Sequence, residues 1–142
     1  MNNRTLAIIK PDSVEKNAIG DIIAMITKAG FKLLAMKMIK INAAQAGKFY
    51  EVHFGKPFYN DLISYMTSGA IVPIALEKEN AIEDFRRLIG ATNPEKAEPG
   101  TIRKLYGTSI ERNAIHGSDS NENAAIEIAF FFPGSETVQN LA

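Results

Sequence analysis

The sequence predicts an α+β fold, in which a four-stranded antiparallel sheet carries helices on one side. Four short apolar runs have the length of strands, and the stretches between them repeat apolar residues with the period of a helix. These segments follow one another in the order βαββαβ, with insertions, which is typical of one antiparallel sheet. The chain has 142 residues, of which 46% are hydrophobic, so we expect one core and a single domain over residues 1–142.

The first strand is predicted at the apolar run Leu6–Ile9, which ends at Lys10 and Pro11. Lys10 therefore stands in a loop at the end of a buried strand, where a ligand-facing loop often begins. Asp12 and Ser13 offer N-cap chemistry for a helix after this loop.

The first long helix is predicted from four isoleucines spaced i, i+3, i+4 and i+7, which share one helix face. They are Ile19, Ile22, Ile23 and Ile26, and Gly30 ends the helix. A second strand follows over residues 31–41, although its alternation is imperfect. Residues 43–54 and 59–66 are then predicted as two helices, separated at Pro57.

The third strand is predicted over residues 71–76 and contains Pro73. Because proline has no N–H to donate, Pro73 should lie at a bulge, at an edge, or at a point that faces away from pairing. A helix over residues 79–89 follows, with one apolar face, and Gly90 ends it.

The stretch from Gly90 to Arg112 shows no regular pattern, and loops of this length are usually functional or disordered. It carries several cations, which favours a function. A short strand is predicted near residues 113–116. The tail alternates like a strand at residues 126–130 but also fits a helical stripe, and the capping residues before it favour a helix.

Composition excludes several classes of function. Lysine plus arginine and aspartate plus glutamate number 16 each, which argues against a dedicated nucleic-acid or membrane-surface partner. The chain has no cysteine, so disulfides, thiolate catalysis and zinc–thiolate sites are excluded. Residues 1–4 are not followed by the long apolar region of a signal peptide, and no apolar run could span a bilayer. We expect a soluble protein of the cytoplasm.

The segment from Asn113 to Ser120 is the first candidate site, because His116 is followed by glycine and a run of small polar residues. Glycine allows a ligand to approach the backbone, and the serine and aspartate side chains could position it. On composition alone an ordinary capped turn with an incidental histidine is the favoured interpretation, since helix caps have the same residues.

Scattered cations form the second candidate set, since a triphosphate needs several cationic donors. They are Lys10, Arg86, Arg103 and Arg112. Each alone is best explained as a surface charge, although Lys10 departs from that by ending an apolar strand. The chain has no P-loop, no Gly-rich kinase loop and no dinucleotide-binding fingerprint, so any phosphate chemistry must use another scheme.

Aromatic residues of the predicted helical hairpin form the third set, because an aromatic ring can stack on a nucleotide base. They are Tyr50, Phe54, Phe58 and Tyr59. For any one of them, packing inside the hairpin is the more common explanation. His53 is interpreted as a histidine on the helix surface, without a role.

Taken together, four motifs resemble those of the nucleoside diphosphate kinases, in the order and at the spacing of that family. They are Ile9-Lys10-Pro11-Asp12, the run from Arg86 to Pro94, the run from Pro99 to Arg103, and the run from Asn113 to Ser120. The resemblance extends from Thr5 to about Phe132, and the last motif is highly specific. It implies a ferredoxin-like αβ sandwich, in agreement with the βαββαβ order.

The resemblance implies an enzyme that moves the γ-phosphoryl of a nucleoside triphosphate, typically ATP, to a nucleoside diphosphate through a phosphohistidine at His116. Glu127 would orient the histidine ring, Ser118 would hold Glu127, and Tyr50 would constrain the ring from the other side. Lys10 would meet the transferred phosphoryl group and the ribose 3′-hydroxyl. Ping-pong kinetics are expected.

The nucleotide contacts are implied in the same way. Arg86, Thr92 and Arg103 would hold the phosphates, and Asn113 would bond the ribose. Phe58 would stack on the base with Leu62 beside it, which implies broad base tolerance for ribo- and deoxyribonucleotides. Mg²⁺ is expected as the cofactor, carried by the nucleotide phosphates without direct protein ligands; Asp119 could contact it through water.

The resemblance also implies a homo-oligomer, either a tetramer or a hexamer. Ser13 replaces a common glycine, the segment from Lys104 to Glu111 departs from the commonest forms, and a longer C-terminal arm is not expected after Gly134. The competing hypotheses are a catalytically silent relative that acts as a nucleotide- or nucleic-acid-binding scaffold, and an unrelated binding module of the same fold.

Overall fold

A computed structural model gives the structure of the chain for residues 3–137, apart from the side chain of Ser135. The strands are β1 (Arg4–Ile9), β2 (Lys32–Met36), β3 (Val72–Glu77) and β4 (Ile115–Gly117). The helices are α1 (Pro11–Glu15), α2 (Ile19–Lys28), α3 (Ala43–Phe49), α4 (Tyr59–Met66), α5 (Ala81–Ile89), α6 (Ile102–Tyr106) and α7 (Asn121–Phe131). Short 3₁₀ helices cover Glu51–His53, Pro94–Lys96 and Gly134–Glu136. Residues 1–2 and 138–142 of the predicted single domain lie outside the described part, so that prediction stays open.

The four strands form one antiparallel sheet in the order β2-β3-β1-β4. The predicted α+β class and the βαββαβ order are therefore confirmed. β1 and β3 occupy the middle of the sheet, and their central residues are all buried. β4 is short and lies at one edge, where it pairs with the second half of β1.

The expectation that helices cover only one side of the sheet is wrong, because the structure has an apolar core on each face. Alternate β1 residues, Ala7 and Ile9, pack on one face with α2 and α5. The other alternate residues, Leu6 and Ile8, pack on the opposite face with α3, α4 and α7. The continuous apolar run of β1 is the sequence signal for this arrangement, since a strand with one wet face would alternate.

Several element boundaries differ from their prediction. β2 ends at Met36, and beyond it the pairing continues through one long hydrogen bond from Lys37 to Pro73 and an isolated bridge between Ile39 and Ile71. The helix predicted over residues 43–54 ends at Phe49 and is followed by a 3₁₀ turn. The stretch from Gly90 to Arg112 is not structureless, since it contains a 3₁₀ turn and α6. The tail is a helix, as favoured.

Pro73 lies in a central strand, opposite Ile8 of β1. Its carbonyl accepts a hydrogen bond from the Lys37 N–H over 3.3 Å, one residue beyond the end of β2. Since the N and O of one strand residue face the same neighbour, the missing N–H also faces this irregular segment. Pro73 thus lies neither at an edge nor at the irregularity of β2 between Leu33 and Ala35, and its carbonyl faces a bonded neighbour, so the predicted settings do not describe it; the missing N–H is tolerated because β2 has already ended.

The N-cap prediction for Asp12 and Ser13 is wrong. Both lie inside the first turn of α1, where Lys10 is the N-cap residue and Pro11 follows it. Proline suits this position because its fixed φ fits a helix and its missing N–H would have no helical partner. The Asp12 carboxylate is therefore free to bond elsewhere, and it reaches the segment before β4.

Within residues 3–137, no helix is long and apolar enough to cross a membrane.

Candidate active site

His116 lies in the middle of β4, at the edge of the sheet, and its side chain is 20% exposed. Nε2 of the imidazole lies 2.9 Å from Oε1 of Glu127, which projects from the second turn of α7. A carboxylate can only accept, so this contact puts the proton on Nε2 and leaves the lone pair on Nδ1. Among residues 3–137, no side chain or backbone group bonds Nδ1.

Ser118 connects this pair to the sheet. Its hydroxyl donates to the same Glu127 oxygen over 2.7 Å and accepts from the Leu6 N–H of β1 over 3.0 Å. Ser118 is fully buried, so its bond to Leu6 is shielded from water, whereas Glu127 at the other end is 18% exposed. The structure thus brings Ser118, Glu127 and His116 together in one chain of hydrogen bonds, as the resemblance implies.

An aromatic cluster forms one wall beside the histidine. The Phe49 ring meets the imidazole edge to face, with 5.7 Å between centroids, and also contacts Phe130 and Phe131. The resemblance implies this role for Tyr50, whose buried hydroxyl has no hydrogen-bond partner in the described part of the chain. Burial, with the charge of Glu127, raises the pKa of Tyr50, so the phenol stays neutral. Phe49 is the ring neighbour that the sequence analysis missed.

His53 is partly exposed on the 3₁₀ turn after α3, and it borders the same site. It lines a cavity of about 330 Å³ together with His116, Glu127 and Asp119. Its Nδ1 is buried without a partner among residues 3–137. Burial lowers the pKa of His53, as do Lys56 and His116, against the opposing charge of Asp119. The sequence signal was its position three residues after Tyr50, which places the two side chains near each other on a helical turn.

A second, more polar cavity of about 710 Å³ adjoins the first at Gly117 and Asp119, which line both. Arg86 of α5, Thr92 and Arg103 of α6 line it. The three residues predicted to hold the phosphates therefore lie around one opening. This opening reaches β4 one residue beyond His116.

Arg103 is partly committed to the backbone. Its guanidinium donates to the carbonyls of Gly90 and Ile115 over 2.9 Å each, and its buried Nε has no partner in the described residues. Burial, and then the charge of Arg86, lower the pKa of Arg103 to about 10. Two cations that face one cavity are mutually unfavourable, so this arrangement favours the binding of an anion.

Gly90 allows this geometry because it ends α5 with a φ of +89°. A side chain there would be strained, and its Cβ would lie 2.5 Å from Oγ1 of Thr101. The glycine thus lets the chain turn close to α6, so that its carbonyl meets Arg103.

Lys10 and Asn113 meet behind this opening. Nζ of Lys10 donates to Oδ1 of Asn113 over 2.8 Å, and the Asn113 amide donates to the Thr92 carbonyl over 3.1 Å. Both side chains are almost fully buried. Burial and the charge of Arg103 lower the pKa of Lys10 to about 8, although Asp12 opposes the shift. An anionic group bound beside Nζ would therefore stabilise the charged form of Lys10.

The two residues predicted to contact the base lie at the start of α4. Phe58 immediately precedes the helix and is 43% exposed, and Leu62 is half-buried one turn later. The Phe58 ring lies 5.4 Å from the His53 ring, which connects it to the histidine cavity. Neither residue is among those that line the two cavities.

Asp119 is an exposed carboxylate where the two cavities meet, and it accepts a hydrogen bond from Asn123 over 2.6 Å. No group of three or more His, Asp or Glu side chains that could hold a metal ion occurs within residues 3–137. A lone carboxylate suits a hydrated Mg²⁺ that is bound mainly by phosphate oxygens.

Comparison with known proteins identifies similar chains over almost the whole length. A family model described as nucleoside diphosphate kinase matches residues 3–137. The nucleoside diphosphate kinase of Flavobacterium psychrophilum is 60% identical over 134 residues, which cover 94% of this chain and 96% of that one. The enzyme of the same description from Chloroherpeton thalassium is 58% identical over 98% of this chain and 99% of its own.

Solved structures agree in fold. The Aquifex aeolicus nucleoside diphosphate kinase superposes with a TM-score of 0.93 at 45% identity, covering 95% of this chain and 98% of that one. A halophilic nucleoside diphosphate kinase from Halobacterium salinarum, solved in complex with CDP, gives a TM-score of 0.92 at 38% identity. That alignment covers 97% of this chain and 92% of its own.

Proposed function

This chain belongs to the nucleoside diphosphate kinase family, and from that premise we propose that His116 is the residue that carries the phosphoryl group. The activity is that of the family: transfer of the γ-phosphoryl of a nucleoside triphosphate to a nucleoside diphosphate. The alternative of a catalytically silent scaffold has no support from these relatives. The observation that carries the proposal is the contact between Nε2 of His116 and Glu127.

In the first half-reaction, the Nδ1 lone pair of His116 attacks the γ-phosphorus of the triphosphate. The bond from that phosphorus to the β,γ-bridging oxygen breaks, and the diphosphate leaves with the electron pair. The imidazole gains positive charge as the P–N bond forms. Glu127 lies 2.9 Å from Nε2 and stabilises this charge, so no proton has to leave the ring.

In the second half-reaction, a terminal β-phosphate oxygen of the acceptor attacks the phosphohistidine, and the P–N bond breaks. The electron pair returns to Nδ1, which restores the starting enzyme. Because donor and acceptor use the same site in turn, ping-pong kinetics follow.

The polar cavity is proposed to hold the phosphates. Arg86 and Arg103 line it together with Glu98 and Asp119, and a phosphate there would offset the repulsion between the two arginines. Thr92 adds a hydroxyl at its rim. These groups bind charge that is concentrated on the phosphoryl oxygens in the transition state, which is where electrostatic stabilisation is most effective.

Lys10 and Asn113 are proposed to bind the ribose side of the nucleotide and the transferred group. Their contact over 2.8 Å keeps Nζ of Lys10 in place without an ion pair, so its charge remains available to the phosphate. Phe58 and Leu62 are proposed to flank the base, where ring and aliphatic surfaces tolerate any base. The relative from Halobacterium salinarum was solved with CDP, and we propose that this chain accepts both ribo- and deoxyribonucleotides.

Mg²⁺ is proposed to arrive with the nucleotide. When bound, it would neutralise part of the phosphate charge. Asp119 is the carboxylate placed to hold a water of its hydration shell.

We further propose that the chain forms a tetramer or a hexamer and that it works in the cytoplasm.

The test is to incubate the protein with ATP and Mg²⁺ and to follow the phosphate. We expect a phosphoprotein that is labile to acid and stable to base, and that passes its phosphoryl group to dGDP. His116→Ala should form no such adduct, whereas His53→Ala, which changes the second of the two histidines, should still form it. An adduct in the His116 variant would show that another residue is the nucleophile.

A further inference from the structure

Asp12 is a buried carboxylate to which the mechanism above gives no part. It is only 5% exposed, and a buried charge is costly unless hydrogen bonds satisfy it. One of its oxygens accepts from the Tyr65 hydroxyl, and the other accepts from the Ala114 N–H over 3.1 Å. The Asp12 N–H in turn donates to the Tyr65 hydroxyl over 3.2 Å. These bonds connect three segments that are distant in sequence.

The first of them is the turn before β4. Ala114 has a φ of +78°, which is unfavourable for a residue with a Cβ and persists only where its surroundings hold it. The Ile115 N–H donates to the Asn113 carbonyl over 3.0 Å and closes a three-residue turn. Ala114 itself is held on both sides, since its carbonyl accepts from the Lys10 N–H over 2.9 Å and its N–H bonds Asp12.

The position of this turn affects both the contact between Asn113 and Lys10 and the position of His116. Asn113 comes directly before Ala114, and its side chain accepts from Lys10. His116 comes two residues after it, on β4. A change at Ala114 would therefore move the ribose side and the nucleophile relative to each other.

Besides α1, which carries Asp12 itself, and the turn at Ala114, the third segment is α4. Tyr65 is buried near its end, and the guanidinium of Arg112 lies 5.1 Å from the centre of its ring. Leu62 precedes Tyr65 by three residues on the same helix, and Phe58 precedes the helix. The Tyr65 hydroxyl thus ties the element beside the base to the carboxylate that holds the Ala114 turn.

We propose that Asp12 is a positioning residue that holds the Ala114 turn and α4 in fixed relation, so that His116 and Phe58 act on the same nucleotide. This inference rests on the function proposed above. Asp12 lines neither cavity and touches no reacting atom, so it acts through Ala114 and Tyr65. Its carboxylate also faces Lys10, whose other charged neighbour is Arg103.

The first test is Asp12→Asn. An amide nitrogen donates and cannot accept, so the side chain can no longer accept from both the Tyr65 hydroxyl and the Ala114 N–H, and the hydrogen-bond pattern around it must change. We expect the rate of phosphohistidine formation to fall roughly 10- to 100-fold, because small misplacements of reacting groups cost that much. Loss of the carboxylate charge should also move the alkaline limb of the pH profile of kcat/KM to lower pH, since Asp12 raises the pKa of Lys10.

The second test, Tyr65→Phe, keeps the carboxylate and its bond to Ala114 but breaks the link to α4. We expect KM for the nucleotide to rise several-fold with a smaller change in kcat and an unmoved alkaline limb. Asp84→Asn is the matched control, since it changes an aspartate that pairs with Lys78 and Arg87 and itself lines neither of the two cavities. It should lower the melting temperature and leave kcat, KM and the pH profile as they are.

Thermal melts of every variant separate positioning from stability. If Asp12→Asn melts earlier but keeps the kcat, KM and alkaline limb of the unchanged protein, Asp12 is only structural and the inference is wrong. If Asp12→Asn does not fold, Tyr65→Phe decides, and an unchanged KM overturns the inference. Failure of the unchanged protein to form a phosphohistidine would instead overturn the proposed function.

Discussion

Oε1 of Glu127 accepts two hydrogen bonds, one from Nε2 of His116 over 2.9 Å and one from the Ser118 hydroxyl over 2.7 Å. One oxygen therefore fixes both the tautomer and the direction of the imidazole. The ring cannot turn its other nitrogen inward without losing a charge-assisted bond in a half-buried place. The carboxylate thus leaves Nδ1 as the ring nitrogen with the lone pair.

Glu127→Gln should slow the formation of phosphohistidine roughly 10- to 100-fold with little change in KM. The amide oxygen can still accept from Nε2, but it lacks the charge that stabilises the phosphorylated ring, and hydrogen bonds to charged groups are worth about 1.5–3 kcal/mol. Rapid quenching with labelled ATP measures this rate. Glu122→Gln, an exposed change in the first turn of the same helix, serves as the control. Equal rates in the two variants would argue against charge stabilisation by Glu127.

Gly117→Ala should lower both stability and activity. A Cβ on Gly117 would lie 2.9 Å from Phe85 and 3.1 Å from Ile89, so β4 would have to move away from α5 and take His116 with it. Such overpacking usually costs about 1–3 kcal/mol. Urea unfolding and kcat check this expectation.

Gly20→Ala is the matched control for that substitution. Gly20 lies within α2, and a Cβ there would meet nothing within 4 Å. It should stabilise the protein by about 0.5–1 kcal/mol, since alanine suits a helix better than glycine. A Gly117→Ala variant as stable as this control would contradict the close packing of β4 on α5.

Lys10→Met should be inactive yet more stable near neutral pH. Burial and Arg103 lower the pKa of Lys10 from 10.5 to about 8, which corresponds to a penalty of roughly 3 kcal/mol for the charged form in the fold. Losing the bond to Asn113 offsets about 1 kcal/mol, so a net gain of about 2 kcal/mol is expected. Urea unfolding at several pH values measures it.

The sign of its pH dependence follows from proton binding. Below pH 8 both states of the unchanged protein are protonated at Lys10, and the fold carries the whole penalty. Between 8 and 10.5 the unfolded state binds more protons, so stability rises with pH and the advantage of Lys10→Met shrinks. An advantage that stays constant across this window would mean that Lys10 is not destabilised in the fold. Over the same window kcat/KM of the unchanged protein should fall as Lys10 loses its charge.

Phe49→Leu should reduce kcat several-fold and destabilise the fold by about 1 kcal/mol, as expected for lost aromatic contacts. The ring touches His116 and three aromatic neighbours, so a smaller side chain leaves the imidazole less confined. Phe54→Leu is the control, because Phe54 is 77% exposed and contacts only the Tyr59 ring among the described aromatic residues. If both variants behave alike in a steady-state assay, Phe49 does not confine the histidine.

Much of the fold was predictable because apolar periodicity reports directly on burial. The isoleucine spacing of α2 and the apolar run of β1 both gave the correct element. The number of covered faces was missed because a helix pattern tells that a helix packs, but not on which side of a sheet. The cap of α1 was missed because Asp12 looks like a capping residue, while its real partner lies 102 residues away.

For the same reason, only some residues of the candidate site could be predicted from the sequence. Motifs placed Lys10, Arg86 and His116 in one site, since each lies in a distinctive local run. Phe49 and His53 carry no local mark, and only the folding of α3 and the turn after it brings them to the histidine. Long-range contacts of this kind cannot be read from spacing along one chain.

The hydroxyl of Ser118 takes the place of a backbone partner for the Leu6 N–H, just beyond the point where β4 stops pairing with β1. The chain of bonds that ends at His116 therefore starts in the most buried strand of the sheet. For hydrogen exchange, this means that the Leu6 amide should exchange only when β4 separates from β1, in the slowest class of amides. The position of His116 and the pairing of β4 with β1 then form one cooperative unit, and we expect them to be lost together.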